Sequence, residues 1–504
     1  MVQPVSEWIK HVDQDTLQRF RIDPDHFNDY KVMPRLLFGK YLEDQFTALL
    51  GEGEASGFTT NVYKNACVVD IADDPESEKV AVRLKDGSEY LYDHVIICTG
   101  HRWPENFEGI IKGYFDSPYP PVKLQIHADH PVALKGSSLT AIDAIRTLAR
   151  ANGNFSTAEN GKVIFKLSSE SPHFRIVMHS KGGLLPAIRF HLEDSHLLKD
   201  SVMAPELVEQ YRAENEGFLS LDTVFDVNFK QLFKEHDPET YEKIKDTSIE
   251  EFVKFVMDKR KQVDPFKLFF KEFLEAEESI MKEESVYWKE LLAVLSFAMN
   301  YPAKYFSAED MLRLQKVLMP LISIVIAFVP QSSVKEMLAL HNEGVLEIVP
   351  VGDDSRIEPQ KKGGIIYHFK DSDGQLRSDY YQTFVDCVGQ PHLSYKKVPF
   401  ESLRTNKTIS PARLKFRDAE QGKKIQVAEP ERVEKDGFGD YYLQVPGIKI
   451  SDNFQVMDYY ESVNPRVIMM AVPYIGGYNP DYSGLDFCEA ASEAIAKGIF
   501  NLQV

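Results

Sequence analysis

The sequence predicts an α/β protein of two strand–turn–helix domains, the first incomplete at its N-terminus, with a long helical insertion in the second. Three observations predict it. An apolar strand, Val95-Ile96-Ile97-Cys98, runs straight into Thr99-Gly100. A second short apolar segment, Val132-Ala133-Leu134, leads through a small-residue turn into an amphipathic run from Leu139 to Ala151, ended by Asn152-Gly153. Between about Leu197 and Lys316 the composition shifts to Glu, Lys, Phe and Leu with few strand signals, the pattern of four or more packed helices.

Taken in order, the chain opens with helices. Ser6 is positioned to cap a short helix through Trp8, Ile9 and Val12, and Pro34 suits the first turn of a second. That second helix shows an apolar stripe at Phe38, Leu42, Phe46 and Leu49 and is expected to stop at Gly51. Short strands follow at Cys67 to Ala72, Lys79 to Leu84, Tyr90 to Tyr92 and Val95 to Cys98, with a turn at Asp86-Gly87. After the Val132 strand and its helix comes a strand at Phe174 to Met178, leading into Ser180-Lys181-Gly182-Gly183-Leu184-Leu185-Pro186. Strand patterns return after the helical stretch at Gly344 to Pro350, Ile365 to Phe369, Phe384 to Val388 and Arg466 to Val472.

Composition narrows the function classes. The formal charge of −19 over 504 residues repels phosphate backbones and anionic lipid, so neither nucleic acid nor a membrane is an expected partner. The longest apolar stretch, Leu318 to Val329, is too short to cross a bilayer and carries Pro320 within it. Cys67, Cys98, Cys387 and Cys488 form no C-x-x-C pair or metal spacing, which points to a reduced cytoplasmic protein and away from a dithiol relay. His191 and His196 flank Glu193 and Asp194, but five residues apart they do not share a helix face as zinc ligands would. No Gly-x-Ser-x-Gly, Walker loop or His-Glu-x-x-His occurs.

Three motifs carry chemistry. Thr99-Gly100 closes an apolar strand where backbone could approach a cofactor, although a buried strand ending at a loop glycine has the same appearance. Gly136-Ser137-Ser138-Leu139-Thr140-Ala141 sits where a dinucleotide fingerprint places its glycines: Gly136 keeps the tight turn, Ser138 replaces the middle glycine and Ala141 serves as the third. The plain alternative is a strand-to-helix turn with a serine cap. Downstream, Ser180 and Lys181 stand where an acidic residue would bind an NAD ribose. A hydroxyl and a cation there suit a 2′-phosphate, favouring NADP over NAD, and a solvated loop lysine is the competing reading. The third motif is Gly476-Gly477 followed by Ser483-Gly484-Leu485-Asp486 at the start of a final helix. Its N-terminus would face a flavin or its pyrophosphate, and Ser483 with Asp486 equally reads as a capping box. Arg35, just inside the second helix, is within the class of residues that reach FAD phosphates, and equally reads as a surface arginine.

As a set, Pro34 to Leu42, Thr99-Gly100, Phe115 to Pro120, Gly136 to Asp143, Gly182 to Pro186 and Ser483 to Phe487 resemble the FAD/NAD(P)-binding family of FAD-dependent urate hydroxylase-like and N-hydroxylating flavoproteins. The resemblance implies two Rossmann-like dinucleotide-binding domains: an FAD domain at 1–115 and 395–504, an NAD(P)-like domain at 116–196 and 331–394, and the helical insertion at 197–330. Members open with a strand, G-x-G-x-x-G and helix that hold the FAD pyrophosphate, and the first residues here match what lies further inside that domain. The implied activity is an FAD-dependent oxidoreductase using NAD(P)H, of monooxygenase type, acting on a small molecule. No side chain stands out as nucleophile or general base. The competing expectation is a non-catalytic protein that uses the scaffold, above all its helices, for binding.

Overall fold

The computed structural model describes residues 2–27, 33–100, 102–193, 203–300, 302–390, 392–480 and 484–500. It divides into two compact units, residues 1–68 with 84–86, and residues 69–83 with 87–504.

The first unit is helical: α1 (Val5–Trp8), α2 (Gln14–Phe20) and α3 (Arg35–Ala55). Ser6 lies inside α1, whose N-cap is Pro4. The side-chain cap belongs to α2, where Asp13 accepts the Thr16 backbone N–H at 2.8 Å. Trp8, Ile9, Leu17, Leu37 and Tyr41 form the core, and Trp8 Nε1 donates to Asp44 at 2.9 Å. Besides the Ser6 cap, two expectations are corrected here. The helix runs on through Gly51 because its C-terminal closure lies at Gly57, at φ +84°, where Phe58 N–H donates to Gly53 and Gly57 N–H to Glu54, a Schellman motif. The buried face is Leu37, Tyr41 and Gln45, while Leu42, Phe46 and Leu49 are exposed.

The second unit begins with β1 (Val68–Asp74), β2 (Lys79–Leu84) and β3 (Glu89–Tyr92), which form a three-stranded sheet. Next come β4 (Val95–Ile97), β5 (Tyr114–Phe115) and β6 (Pro131–Lys135), then α4 (Leu139–Asn152). A hairpin of β7 (Gly153–Thr157) and β8 (Val163–Leu167) returns the chain to β9 (Arg175–Ser180). The helical stretch comprises α5 (Pro205–Ala213), α6 (Leu221–Phe225), α7 (Phe233–His236), α8 (Pro238–Ile244), α9 (Ile249–Lys261), α10 (Pro265–Lys282), α11 (Tyr287–Ala298), α12 (Ala308–Arg313) and α13 (Met319–Val325). The apolar segment after Leu318 is the buried α13 and its exit, with Leu321, Ile322, Val325 and Val329 inside. The chain then runs through α14 (Gln331–Asn342), β10 (Leu346–Pro350), β11 (Arg356–Pro359), β12 (Ile365–Lys370), β13 (Leu376–Tyr381) and β14 (Thr383–Asp386). It closes with α15 (Glu401–Thr405), β15 (Pro411–Lys415), α16 (Ala419–Ala428), β16 (Val433–Lys435), β17 (Tyr441–Ile448), β18 (Gln455–Met457), β19 (Val463–Met469) and α17 (Gly484–Phe500).

The central layer is a five-stranded, wholly parallel sheet in the order β10-β9-β6-β14-β5. This is the Rossmann-like architecture, and its strands are apolar because both faces are covered. Val132 and Leu134 of β6 meet Ile142, Ile145 and Leu148 of α4, with Val334 and Met337 of α14 in the same core. Each such aliphatic side chain contributes roughly 1.5–3 kcal/mol on burial. Asn152, the last residue of α4, is fully buried and fully satisfied: its carbonyl accepts Ala128 N–H and Ser171 Oγ, and its amide donates to Ile126 and Leu148. A second, smaller sheet has the order β18-β19-β4, with β19 and β4 parallel. A third, antiparallel sheet, β15-β17-β16, packs in the same core as the helical stretch.

Candidate functional site

In a parallel sheet the strand ends share one edge, and the crevice lies where the chain leaves in opposite directions from neighbouring strands. Here that point is between β6, whose chain proceeds to β9, and β14 on its other side. The β6–α4 turn occupies it. Gly136 has φ +108°, and a Cβ there would lie 2.9 Å from the carbonyl oxygen of Cys387, just past β14. Only glycine lets the turn pass so close. Ser137 donates its hydroxyl to Leu184 O at 2.8 Å, tying the turn to the loop after β9. Ser138 is the exposed N-cap residue of α4 and makes no side-chain cap, and no acidic residue occupies the first turn. The first-turn N–H groups of α4, at Leu139 and Thr140, therefore meet no side-chain cap from Ser138 and carry the positive end of the helix dipole.

The rim of this crevice is charged. Lys135 pairs with Asp386 at 3.2 Å across β6 and β14. Ser180 ends β9 and its carbonyl accepts Val351 N–H at 3.0 Å, while Lys181 pairs with Asp353 at 2.9 Å in the open. Cys387 is fully buried, and burial followed by the Asp386 and Asp143 carboxylates pushes its thiol well up, so it is no nucleophile. Beneath the sheet edge His179 stacks on Tyr367 with centroids 4.1 Å apart, and burial pulls its imidazole down to about 4. Its Nδ1 faces Leu134 O at 3.2 Å, whereas Nε2 is buried without a partner. The Phe115 to Pro120 segment is built around Asp116, which accepts the backbone N–H groups of Asn106, Phe107 and Glu108. Tyr119 of the same segment donates to Asp143 of α4.

The second sheet offers a parallel pair with its own exit turns. Thr99 and Gly100 are exposed just beyond β4, and a Cβ on Gly100 would meet nothing within 4 Å. Cys98 Sγ lies 4.0 Å from Met470 Sδ beyond β19, and burial, then Cys488, pushes the Cys98 thiol up. Gly484, at φ +83°, opens α17 with Leu485 behind it. Ser483 lies outside the described residues, as does the side chain of Asp486. Arg35 is exposed in the first turn of α3, in the other unit. Gly476 and Gly477 have a packing role that the sequence did not disclose: a Cβ on Gly476 would strike the His392 ring, and one on Gly477 would strike Pro446 O of β17.

The fold is α/β and Rossmann-like. Residues 3–102 match the family model described as FAD-NAD(P)-binding, and residues 204–326 match the YdhS-like middle domain. The uncharacterized protein YdhS of Escherichia coli (strain K12) is 26% identical over 500 residues, covering 98% of this chain and 84% of that protein. Among solved structures, the chain resembles FAD-bound DfoA, the desferrioxamine biosynthetic pathway cadaverine monooxygenase of Erwinia amylovora, at 10% identity, 99% and 79% coverage and a TM-score of 0.39. Cyclohexanone monooxygenase from Rhodococcus sp. Phi1 bound to NADP+ gives 10% identity, 86% and 64% coverage and a TM-score of 0.32. A flavin monooxygenase of Stenotrophomonas maltophilia gives 12%, 88% and 72%, and 0.31.

Proposed function

We propose that this protein is an FAD-dependent oxidoreductase that takes electrons from NAD(P)H and hydroxylates a small molecule. The observation that carries the reading is the β6–α4 turn: a glycine forced by the Cys387 carbonyl, at the switch point of a parallel sheet, ahead of a helix whose N-cap side chain makes no capping bond. The backbone N–H groups of Leu139 and Thr140 and the Ser138 hydroxyl would hold the pyrophosphate of the nicotinamide cofactor, with Ser180 and Lys181 at its ribose 2′ position. Thr99-Gly100 and the Gly484 end of α17 would face the flavin. The bound pair supplies hydride transfer and electron delivery to oxygen, and the chain's own part is to position and enclose. Lys181 would have to leave Asp353 to bind a 2′-phosphate, so the preference for NADP is expected to be modest.

The test is spectroscopic. Purified protein supplied with FAD should retain it through gel filtration, show a flavin absorption band, and bleach anaerobically on adding NADPH faster than on adding NADH. A colourless protein that takes up no FAD sinks the proposal.

A further inference from the structure

Away from both nucleotide turns, a cavity of about 410 Å³ opens between the helical stretch and the antiparallel sheet β15-β17-β16. That volume lies within the range of small-molecule sites. Its walls carry five cations, Arg212, Lys304, Arg413, Lys415 and Lys449, against two carboxylates, Asp452 and Glu461. With the Asp440 and Glu209 carboxylates that pair with two of them counted in, the site carries five cations against four carboxylates, a small local excess of positive charge in a chain of formal charge −19.

The cations differ in what they are already doing. Lys304 pairs with Asp452, Lys449 with Glu461, Lys415 with Asp440 and Arg212 with Glu209. Burial and the nearby Arg212 pull the Lys304 ammonium down, and Asp452 in contact with it acts the other way. Arg413 makes no side-chain hydrogen bond or ion pair among the described residues. Its guanidinium lies over the Tyr442 ring at 4.3 Å, and across the cavity Arg212 lies over Tyr305 at 3.8 Å. A guanidinium over an aromatic face can present its N–H edge to the two oxygens of a carboxylate or phosphate; Arg212 already spends its own on Gly217 O and Glu209, and Arg413 does not. The half-buried setting of Arg413 removes part of the competition from water.

We propose that this cavity binds a small organic oxyanion, a carboxylate or phosphate ester with an apolar body, through Arg413. The Tyr442 and Tyr305 rings that support the two arginines leave Phe218 and Tyr478 as further aromatic wall for that body. Apart from Tyr478, which lies on the loop between Gly477 and the start of α17, none of its residues belongs to either nucleotide turn.

The experiment is titration calorimetry of the full chain with phenyl phosphate, benzoate, inorganic phosphate and, as a neutral control, benzamide. Saturable binding of phenyl phosphate or benzoate is expected, with benzamide inert. Which of the two binds more tightly separates a phosphate from a carboxylate ligand. Arg413→Gln should weaken the anion about tenfold or more, as loss of a charge-assisted hydrogen bond does. Independently of any variant, phenylglyoxal should modify Arg413 in the free protein, and the bound anion should protect it, read by peptide mass spectrometry. No saturable anion binding, unchanged affinity in Arg413→Gln with native circular dichroism, or no protection of Arg413 would each overturn the assignment. Displacement of the anion by FAD or NADPH would overturn it as a separate site.

Discussion

Two glycines at the candidate turns and a third across the crevice separate backbone conformation from close approach. Gly136 has φ +108° and a Cβ there would sit 2.9 Å from Cys387 O and 3.2 Å from its carbonyl carbon. Gly389, on the facing side of the crevice, has φ +94°, but its Cβ would meet only Thr140 Oγ1 at 4.0 Å. Gly100 has neither a positive φ nor any neighbour within 4 Å. Alanine at a positive φ costs roughly 1–2 kcal/mol, and forcing a methyl against fixed backbone adds about 1–3 kcal/mol. Gly136→Ala should therefore lose about 2–5 kcal/mol, Gly389→Ala only the first part, and Gly100→Ala next to nothing. For a unit of about 430 residues those losses correspond to a melting shift on the order of 2–6 °C for Gly136→Ala and about 1–2 °C for Gly389→Ala. Differential scanning calorimetry on the three variants measures it directly. Equal shifts for Gly136→Ala and Gly389→Ala would mean that the Cys387 carbonyl does not approach the turn, and the argument for a glycine-dictated switch point would fall.

Other consequences arise from buried charge. Glu272 is bound by Arg260 at 2.7 Å and by Lys289 at 3.1 Å, all three nearly fully buried, so Glu272→Gln should destabilise the helical stretch by about 3 kcal/mol in urea, because the buried Arg260 loses its carboxylate while Lys289 keeps only Glu275, at 2.6 Å. Burial pushes the Glu272 carboxyl up, but Lys289 and Arg260 outweigh it and hold it below its ordinary value, so its stabilisation is present above about pH 4.5 and lost as pH falls further, a loss the Gln variant should not show. His179 acts in the same sense over a higher pH range: the unfolded chain takes up its proton near pH 6.5 and the folded one only near 4, so stability should fall by on the order of 3 kcal/mol as pH drops from about 6.5 to about 4, and His179→Phe should flatten that part of the pH–stability curve. Asp353→Asn should free Lys181 and raise NADPH affinity relative to NADH about two- to fivefold in binding assays, whereas unchanged selectivity would remove Lys181 from the cofactor site.

The parallel sheet was legible because β6, β9 and β14 are short apolar runs, β6 leading into Gly136 and β9 ending at Ser180, and α4 has a clean helical period. The sheet β15-β17-β16 was not. Pro446 and Gly447 inside β17 read as breakers, and Arg413 and Lys415 alternate with Ala412 and Leu414 over only five residues. Gly447 is tolerated there, at φ +94°, because the Tyr474 carbonyl takes the space of its missing Cβ. The hairpin β7–β8 was hidden because β7 starts at Gly153, the C-cap residue of α4. On α3 the longer apolar stripe lost to a face containing Gln45, whose amide carbonyl accepts Gln3 N–H at 2.8 Å, a bond that no hydropathy pattern registers. The oxyanion cavity was beyond reach for a different reason: Arg212 and Arg413 come from segments about two hundred residues apart and meet only through tertiary packing.

A glycine-rich loop after a strand is ordinarily taken as a sign of phosphate, and the two such loops here show why the inference needs a second condition. At Gly476-Gly477 the missing side chains are replaced by the His392 ring, Val445 and the Pro446 carbonyl, so the glycines answer to protein packing. At Gly136 protein also closes on the residue, yet what closes is the end of the adjacent parallel strand, and the consequence is to set the N-terminus of α4 at the sheet's switch point. The condition that distinguishes them is therefore not the glycine but the element into which it leads. Gly136 opens directly into a fourteen-residue helix whose N-cap side chain makes no capping bond and whose first turn holds no carboxylate. The Gly476-Gly477 loop runs first through Tyr478 into the wall of the oxyanion cavity. A substitution at Gly477 should accordingly disturb the packing of β17 and with it the anion affinity of Arg413, while leaving NADPH binding at α4 intact; simultaneous loss of both would show that the two sites are a single one.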